Sequence, residues 1–203
     1  MKKEIKEFDR IELFKHYNNC DNPFIILTTK IEVTNVVEFC KENKHFYATI
    51  GYLINKCANE IPEFRYRYEN GNIYLYEKLN SNYTQKIDNK ITFFSLEMNN
   101  SYKNYIENYD KKLKLIKIKE KEIVDKNDEI WFSCLPWMSF TGLIPPFRKE
   151  CYIPQFIWDK YEFDNGKYYM HIMIMAHHGF VDGYHIYSLI DKLQKEINCF
   201  KKS

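Results

Sequence analysis

Met170-His-Ile-Met-Ile-Met-Ala-His177-His178-Gly-Phe-Val-Asp182-Gly-Tyr-His185 is the stretch on which the fold of this chain turns. It opens as an apolar run of strand character, ends in two adjacent histidines, and enters a turn-like segment holding Gly179, Asp182 and Gly183. Beyond it Ile186, Leu189, Ile190, Leu193 and Ile197 recur at the spacing of one helical face. The order is strand, tight loop, amphipathic helix, with the ionisable groups in the loop. Side chains alternate faces along a strand, so His177 and His178 are expected to point in opposite directions, one into the core and one towards a cleft. An imidazole titrates near neutrality and can take a proton from a hydroxyl, thiol or amine. Asp182, four residues after His178, can pair with a cation and organise the loop, or simply cap the helix that follows.

Upstream, Asp9–Tyr17 has helical character and is broken at Asn22-Pro23, after which Phe24–Val33 reads as a strand. Thr34 is the expected N-cap of a helix over Val36–Lys44, and Phe46–Ile61 is a second helix with Ile50, Leu53, Ile54 and Cys57 on one side. Phe64–Tyr68 and Asn72–Glu77 flank Asn70-Gly71, a strong hairpin signal. Short strands follow at Tyr83–Lys86 and Ile91–Phe94. A long helix over Asn99–Lys117 carries a stripe of Tyr102, Tyr105, Ile106, Tyr109, Leu113 and Ile116. The lysines between 111 and 121 read as a solvated helix face. Glu129–Cys134 and Gln155–Phe163 return to strand character, and Asn165-Gly166 turns into the strand of the histidines. Alternating strands and helices with added hairpins predict an α/β two-layer sandwich with a mixed β-sheet.

The 203 residues suit one domain with a substantial core. A net charge of +2 exerts no strong pull on nucleic acid or on a membrane surface. The aromatic share of 17% fits extensive core packing. Six cysteines occur without a Cys-Xaa-Xaa-Cys pair, so neither a zinc site nor a disulfide framework is expected, and they read as reduced thiols. No run approaches the roughly 20 apolar residues of a membrane span. The charged start, Met-Lys-Lys-Glu-Ile-Lys-Glu, has no apolar run behind it, so a cytoplasmic protein is expected. His171 and His185 show no partner pattern, and no metal role is expected of them. Met170, Met173 and Met175 read as core filler and Trp137 as a structural aromatic.

His177-His178-Gly179-Phe180-Val181-Asp182-Gly183 resembles the His-His-Xaa-Xaa-Xaa-Asp-Gly signature shared by chloramphenicol acetyltransferases, dihydrolipoamide acyltransferase cores and peptide-synthetase condensation domains. Other segments resemble the chloramphenicol acetyltransferase family in particular. They are Arg10 with Phe14 and Tyr17, Thr29-Lys-Ile-Glu-Val-Thr34, Phe46-Tyr47, Pro62-Glu-Phe-Arg65, Leu135-Pro-Trp-Met-Ser-Phe-Thr141 and Lys160-Tyr161. They occur in the family's order from about residue 8 to residue 199. The resemblance implies transfer of an acetyl group from acetyl-CoA, as co-substrate, to a hydroxyl by direct attack, with no covalent acyl-enzyme. It implies His178 as general base and an ion pair between Asp182 and Arg10. It also implies a homotrimer whose active sites lie at subunit interfaces, with a small-molecule acceptor.

Several positions depart from the family pattern. A family serine whose hydroxyl stabilises the tetrahedral oxyanion falls on Gly142, and losing such a donor costs about 10²–10³ in rate. Ser139 or Thr141 is a neighbouring hydroxyl that could replace it, as could a water. A family threonine near the transition state appears as Ile157. Of two family lysines that hold the phosphate end of coenzyme A, one aligns with Lys160 and the other falls on His45, with Lys44 beside it. In the acceptor pocket Tyr17 matches, whereas His16 and Ile25 stand where the family has aromatics. Three classes of function follow. They are an O-acetyltransferase on a small hydroxylated molecule such as chloramphenicol, the same chemistry on another acceptor, and a catalytically weak relative acting as a binding or structural trimer.

Overall fold

A computed structural model describes residues 1–116 and 126–200. In chain order the elements begin β1 (Lys2–Glu4), α1 (Ile11–Asn18), β2 (Phe24–Glu32), α2 (Thr34–Asn43) and α3 (Phe46–Asn59). Then come α4 (Pro62–Arg65), β3 (Tyr66–Glu69), β4 (Asn72–Tyr76), β5 (Asn80–Ile87), β6 (Lys90–Leu96) and α5 (Tyr102–Ile116). The chain closes with β7 (Glu129–Leu135), β8 (Gln155–Asp159), β9 (Glu162–Asp164), β10 (Lys167–His177) and α6 (Gly183–Cys199).

The main sheet runs β2-β10-β8-β7-β5-β6, with β9 added beside β10, and a small sheet runs β1-β4-β3. Its β5–β7 and β7–β8 pairs are parallel and the remainder antiparallel. This is the expected mixed sheet in an α/β architecture. The alternation of β10 divides it into two faces. Met170, Ile172, Ile174 and Ala176 join the core built with α2, α3, α5 and α6. Met173 and Met175 belong to a separate small cluster with Phe24, Ile26, Phe140, Leu143 and Ile157. The second face is thus covered in part by the loop between β7 and β8, which supplies Phe140 and Leu143. The three methionines are fully buried, as core filler should be.

Helix α6 buries Ile186, Leu189, Leu193 and Ile197 in the main core, each removal from water contributing about 1.5–3 kcal/mol. The stripe of α5 is buried at Tyr105, Tyr109 and Ile116 and half-buried between. Of the lysines expected on a solvated face, Lys111 and Lys114 are exposed and Lys112 is half-buried, while Lys117, Lys119 and Lys121 lie outside the described residues. The Asn70-Gly71 and Asn165-Gly166 turns both take left-handed backbone at each residue, as tight hairpins require.

Four expected elements differ in the structure. Thr34 is not the N-cap of α2 but its first residue, and its hydroxyl accepts the Tyr168 amide at 3.0 Å. Helix α5 starts at Tyr102 rather than Asn99, and the Ser101 hydroxyl accepts the Asn104 N–H at the helix start. The strand expected over Phe64–Tyr68 begins at Tyr66, because Pro62 at a helix start winds Pro62–Arg65 into a short helix. The strand expected over Gln155–Phe163 stops at Asp159, whose carboxylate takes the His171 amide at 2.7 Å. Trp137, expected to be structural, is exposed, with the Lys86 ammonium 5.7 Å from its ring centre. None of the six cysteines, all among the described residues, is in a disulfide.

Candidate active site

The strand β10 delivers the two histidines to opposite environments. His177 is 2% exposed, and its ring lies among Phe14, Phe24, Tyr152 and Phe180 at centroid distances of 5.0–6.0 Å. Its Nδ1 accepts the Gly179 amide at 3.1 Å. Burial, and secondarily the neighbouring His178, push its pKa down to about 4. It is a neutral ring at physiological pH. With Nδ1 accepting, the proton resides on Nε2, which is buried with no hydrogen-bond partner among the described residues. Gly179 has to lack a side chain, since a Cβ there would sit 2.8 Å from the Phe14 ring and 2.9 Å from its Cα.

His178 is half-buried and turned the other way. Its amide donates to the Pro23 carbonyl at 2.8 Å, which closes the chain after β10. Its Nδ1 is 3.0 Å from the Val181 carbonyl oxygen. A carbonyl only accepts, so Nδ1 carries the proton and the Nε2 lone pair is left for another group. The Tyr17 ring stacks on the imidazole, with centroids 4.0 Å apart and planes inclined by 17°. An imidazole held in one tautomer, oriented by a carbonyl and packed on one side by an aromatic ring, is equipped to remove a proton.

Asp182 does both things the spacing allowed. One carboxylate oxygen accepts the Tyr184 and His185 amides at 2.9 and 3.3 Å and so caps α6, while the other lies 3.2 Å from Arg10 Nη2. Arg10 Nη1 also donates to the Phe180 carbonyl at 2.9 Å, so the guanidinium clasps the loop at two points. Partial burial would raise the Asp182 pKa. The His185 amide and ring, Arg10 and the Tyr184 amide outweigh it and bring the carboxyl below its ordinary value. His185 Nδ1 accepts the Asp182 amide at 3.1 Å, completing a reciprocal cap, and its Nε2 lies 3.6 Å from Glu63. The same nitrogen lies 3.0 Å from the Asp182 carboxylate oxygen that caps the helix. His185 and Glu63 were not anticipated as partners. The signal available was the position of His185, third in the helix, where a capping box places its return donor or acceptor.

The other positions singled out from the sequence gather elsewhere. Lys160 and Ser139 line a cavity of about 300 Å³ together with Lys30, Tyr169 and His171. His171, which showed no partner pattern, has its Nδ1 2.9 Å from buried Asp159. Ser139 Oγ donates to the same carboxylate at 2.9 Å, so that hydroxyl is already engaged. Thr141 is exposed, and a Cβ at Gly142 would meet nothing within 4 Å. Lys44 is exposed, and His45, at the start of α3, reaches Asp110 at 3.5 Å; both take left-handed φ values. The Phe46 and Tyr161 rings meet at 4.9 Å, which brings the segments of His45 and Lys160 together. Ile25 pairs with Ala176 and packs half-buried on the main core. Ile157 packs in the small cluster of the second face. Among the described residues no hydrogen bond, ion pair or ring contact joins Ser139, Thr141 or Lys160 to His178. No group of three His, Cys, Asp or Glu side chains there could hold a metal ion, and no helix there is long and apolar enough to cross a membrane.

The family model described as chloramphenicol acetyltransferase matches residues 1–194. Among similar proteins, a chloramphenicol acetyltransferase of Campylobacter coli is 28% identical over 203 residues, covering 96% of this chain and 97% of the relative. One of Clostridium butyricum is 29% identical, covering 98% and 95%. A solved chloramphenicol acetyltransferase superposes with a TM-score of 0.85 at 24% identity, over 97% of this chain and all of that one. A probable dihydrolipoamide acetyltransferase of Listeria monocytogenes shares the fold at a TM-score of 0.70 and 10% identity, over 99% and 96%.

Proposed function

This chain belongs to the chloramphenicol acetyltransferase family and is an acyltransferase, and we propose that it transfers acetyl from acetyl-CoA to a hydroxyl of a small molecule with His178 as general base. The observation that carries the assignment is the hydrogen bond between His178 Nδ1 and the Val181 carbonyl, which leaves Nε2 unprotonated and oriented. Nε2 takes the acceptor hydroxyl proton as the oxygen attacks the thioester carbonyl carbon. The tetrahedral oxyanion collapses, the carbon–sulfur bond breaks, and the imidazolium returns the proton to the departing thiolate. No bond forms between protein and acetyl group. Asp182 and Arg10 act through the loop: they hold the turn that aims His178 and touch no reacting atom.

Lys160, with Lys44 and His45 on the segment that Phe46 joins to Tyr161, is assigned to the phosphate end of coenzyme A. Tyr17 and Ile25 are assigned to the acceptor side, with Ser139 and Thr141 on the loop before β8. The working assembly is a homotrimer acting in the cytoplasm, in which each His178 faces a neighbour's pocket. Two features support it: among the described residues no contact joins Ser139, Thr141 or Lys160 to His178 within one chain, and the loop between β7 and β8 exposes Trp137, Met138, Ile144 and Phe147. Light scattering that finds an active monomer refutes the assembly.

Gly142 favours a slow enzyme, and the departures at His16 and Ile25 favour an acceptor other than chloramphenicol. Thiol release from acetyl-CoA, with chloramphenicol and with a panel of alcohols, sugars and amines, identifies the acceptor. His178→Ala is expected to lower turnover by about 10²–10⁴, the usual contribution of a general base. Undiminished turnover in that variant overturns the mechanism.

A further inference from the structure

The run Gln155-Phe-Ile-Trp-Asp159 places an acid in an apolar strand, and the Asp159 side chain is wholly buried. A buried carboxylate is costly to hold without partners. Here four donors meet it. The His171 amide lies at 2.7 Å and His171 Nδ1 at 2.9 Å, both from β10, with Ser139 Oγ at 2.9 Å and the Phe140 amide at 3.1 Å, both from the loop. A carboxylate only accepts, so the His171 proton lies on Nδ1 and points at Asp159. The loop between β7 and β8 has no regular structure from Pro136 to Pro154. Its first part is tied down by these two bonds, by two backbone bonds (the Lys160 amide to the Met138 carbonyl and the Met138 amide to Leu135), and by Phe140 packing on the second face. Thr141 and Gly142 follow directly. The cavity that holds Lys160 is lined by Ser139 and His171 as well, so the same network borders it.

We propose that Asp159 is a positioning residue: it fixes the loop from Ser139 to Gly142, and so places whatever group stabilises the oxyanion, through His171 on one side and Ser139 and Phe140 on the other. This rests on the acetyl-transfer reading. Asp159 touches no reacting atom, and its effect falls on kcat, while KM for acetyl-CoA changes little. Displacement of a catalytic group by about 1 Å costs up to 10²-fold, so Asp159→Asn, which loses acceptor capacity towards the loop, is expected to lower kcat by about 10–10²-fold.

The test uses the full-length protein in four forms: wild type, Asp159→Asn, Ser139→Ala and Ser139→Thr. Three readouts apply: kcat and KM, amide hydrogen exchange over residues 139–142, and the downfield proton resonance of a His171 ring N–H bonded to a carboxylate. The proposal expects the resonance and slow Phe140 exchange in wild type, and loss of both with a lower kcat in Asp159→Asn. Ser139→Ala should show faster exchange and a severalfold lower kcat while keeping the resonance, and Ser139→Thr, which keeps the hydroxyl, should restore slow Phe140 exchange. Because Ser139 is exposed, its variants keep the test valid even if Asp159→Asn fails to fold. Unchanged exchange in Ser139→Ala and Asp159→Asn, or faster exchange with unchanged kcat, overturns it. A wild type inactive on every acceptor defeats the acetyl-transfer reading instead, a result distinct from the exchange and resonance outcomes.

Discussion

Replacing Gly142 by serine should speed the reaction. A Cβ at this position would meet nothing within 4 Å, and Gly142 is not among the glycines with positive φ, so the side chain enters without strain. As an exposed loop substitution it should alter stability by no more than about 0.5 kcal/mol. A preorganised oxyanion donor is worth about 10²–10³ in kcat. Here the hydroxyl would sit on an exposed residue that no packing fixes, so the gain is expected below that range, about 10–10²-fold. The nearby Ser139 hydroxyl does not already fill the role, because Asp159 holds it at 2.9 Å. The assay is thiol release from acetyl-CoA at saturating acceptor for wild type, Gly142→Ser and Gly142→Ala. The alanine variant separates the hydroxyl from any effect of stiffening the loop. Equal kcat for the serine and alanine variants refutes the reasoning that residue 142 faces the developing oxyanion.

Arg10→Met removes the ion pair to Asp182 and the bond to the Phe180 carbonyl; both side chains are partly exposed, so urea denaturation should register only about 1 kcal/mol or less while kcat falls severalfold. For His177 the folded chain keeps the ring neutral down to about 4, whereas the unfolded chain protonates it near 6.5. Stability should therefore fall as pH drops from about 6.5 to about 4 and level off below, by on the order of 3 kcal/mol, and His177→Gln should flatten that part of the urea-midpoint profile. Gly179→Ala forces a Cβ against the Phe14 backbone at 2.9 Å, which should cost about 1–3 kcal/mol in thermal or urea denaturation and shift His178 enough to lower kcat.

The strand–loop–helix around the histidines could be read from the sequence because every local signal there agreed. Alternation gave two histidines with opposite faces, the 3.6-residue spacing gave α6, and the position of Asp182 allowed its cap as one of two roles. The elements that moved had signals of another kind. Pro62 opens a helix where an aromatic-rich run reads as a strand, and Thr34 spends its hydroxyl on a strand 134 residues further along the chain, which no local pattern encodes. The Asp159 network was hidden for the same reason. Its partners come from a loop and from β10, and the only local hint was an acid inside an apolar run. For His185 only the cap with Asp182 had a local signal; its other neighbours, Arg10 Nη1 at 3.4 Å from Nδ1 and Glu63, are distant along the chain.

Two buried or half-buried charge networks divide the labour of this molecule. Around Asp182, the bonds from Arg10, the α6 amides and the reciprocal bond to His185 fix the turn that aims His178, and each of those residues has the type the family motif calls for where one is specified. Around Asp159, the bonds from His171, Ser139 and Phe140 tie down the loop carrying Gly142, the position at which the proposed reading sets the family's serine. On the proposed mechanism the departures concentrate in the part assigned to the oxyanion and the acceptor, while the proposed base and its supporting loop match the motif. If the proposed mechanism holds, such a chain keeps the proton-transfer step and weakens charge stabilisation. Its rate should respond strongly to a donor added at residue 142 and hardly at all to further tightening around His178.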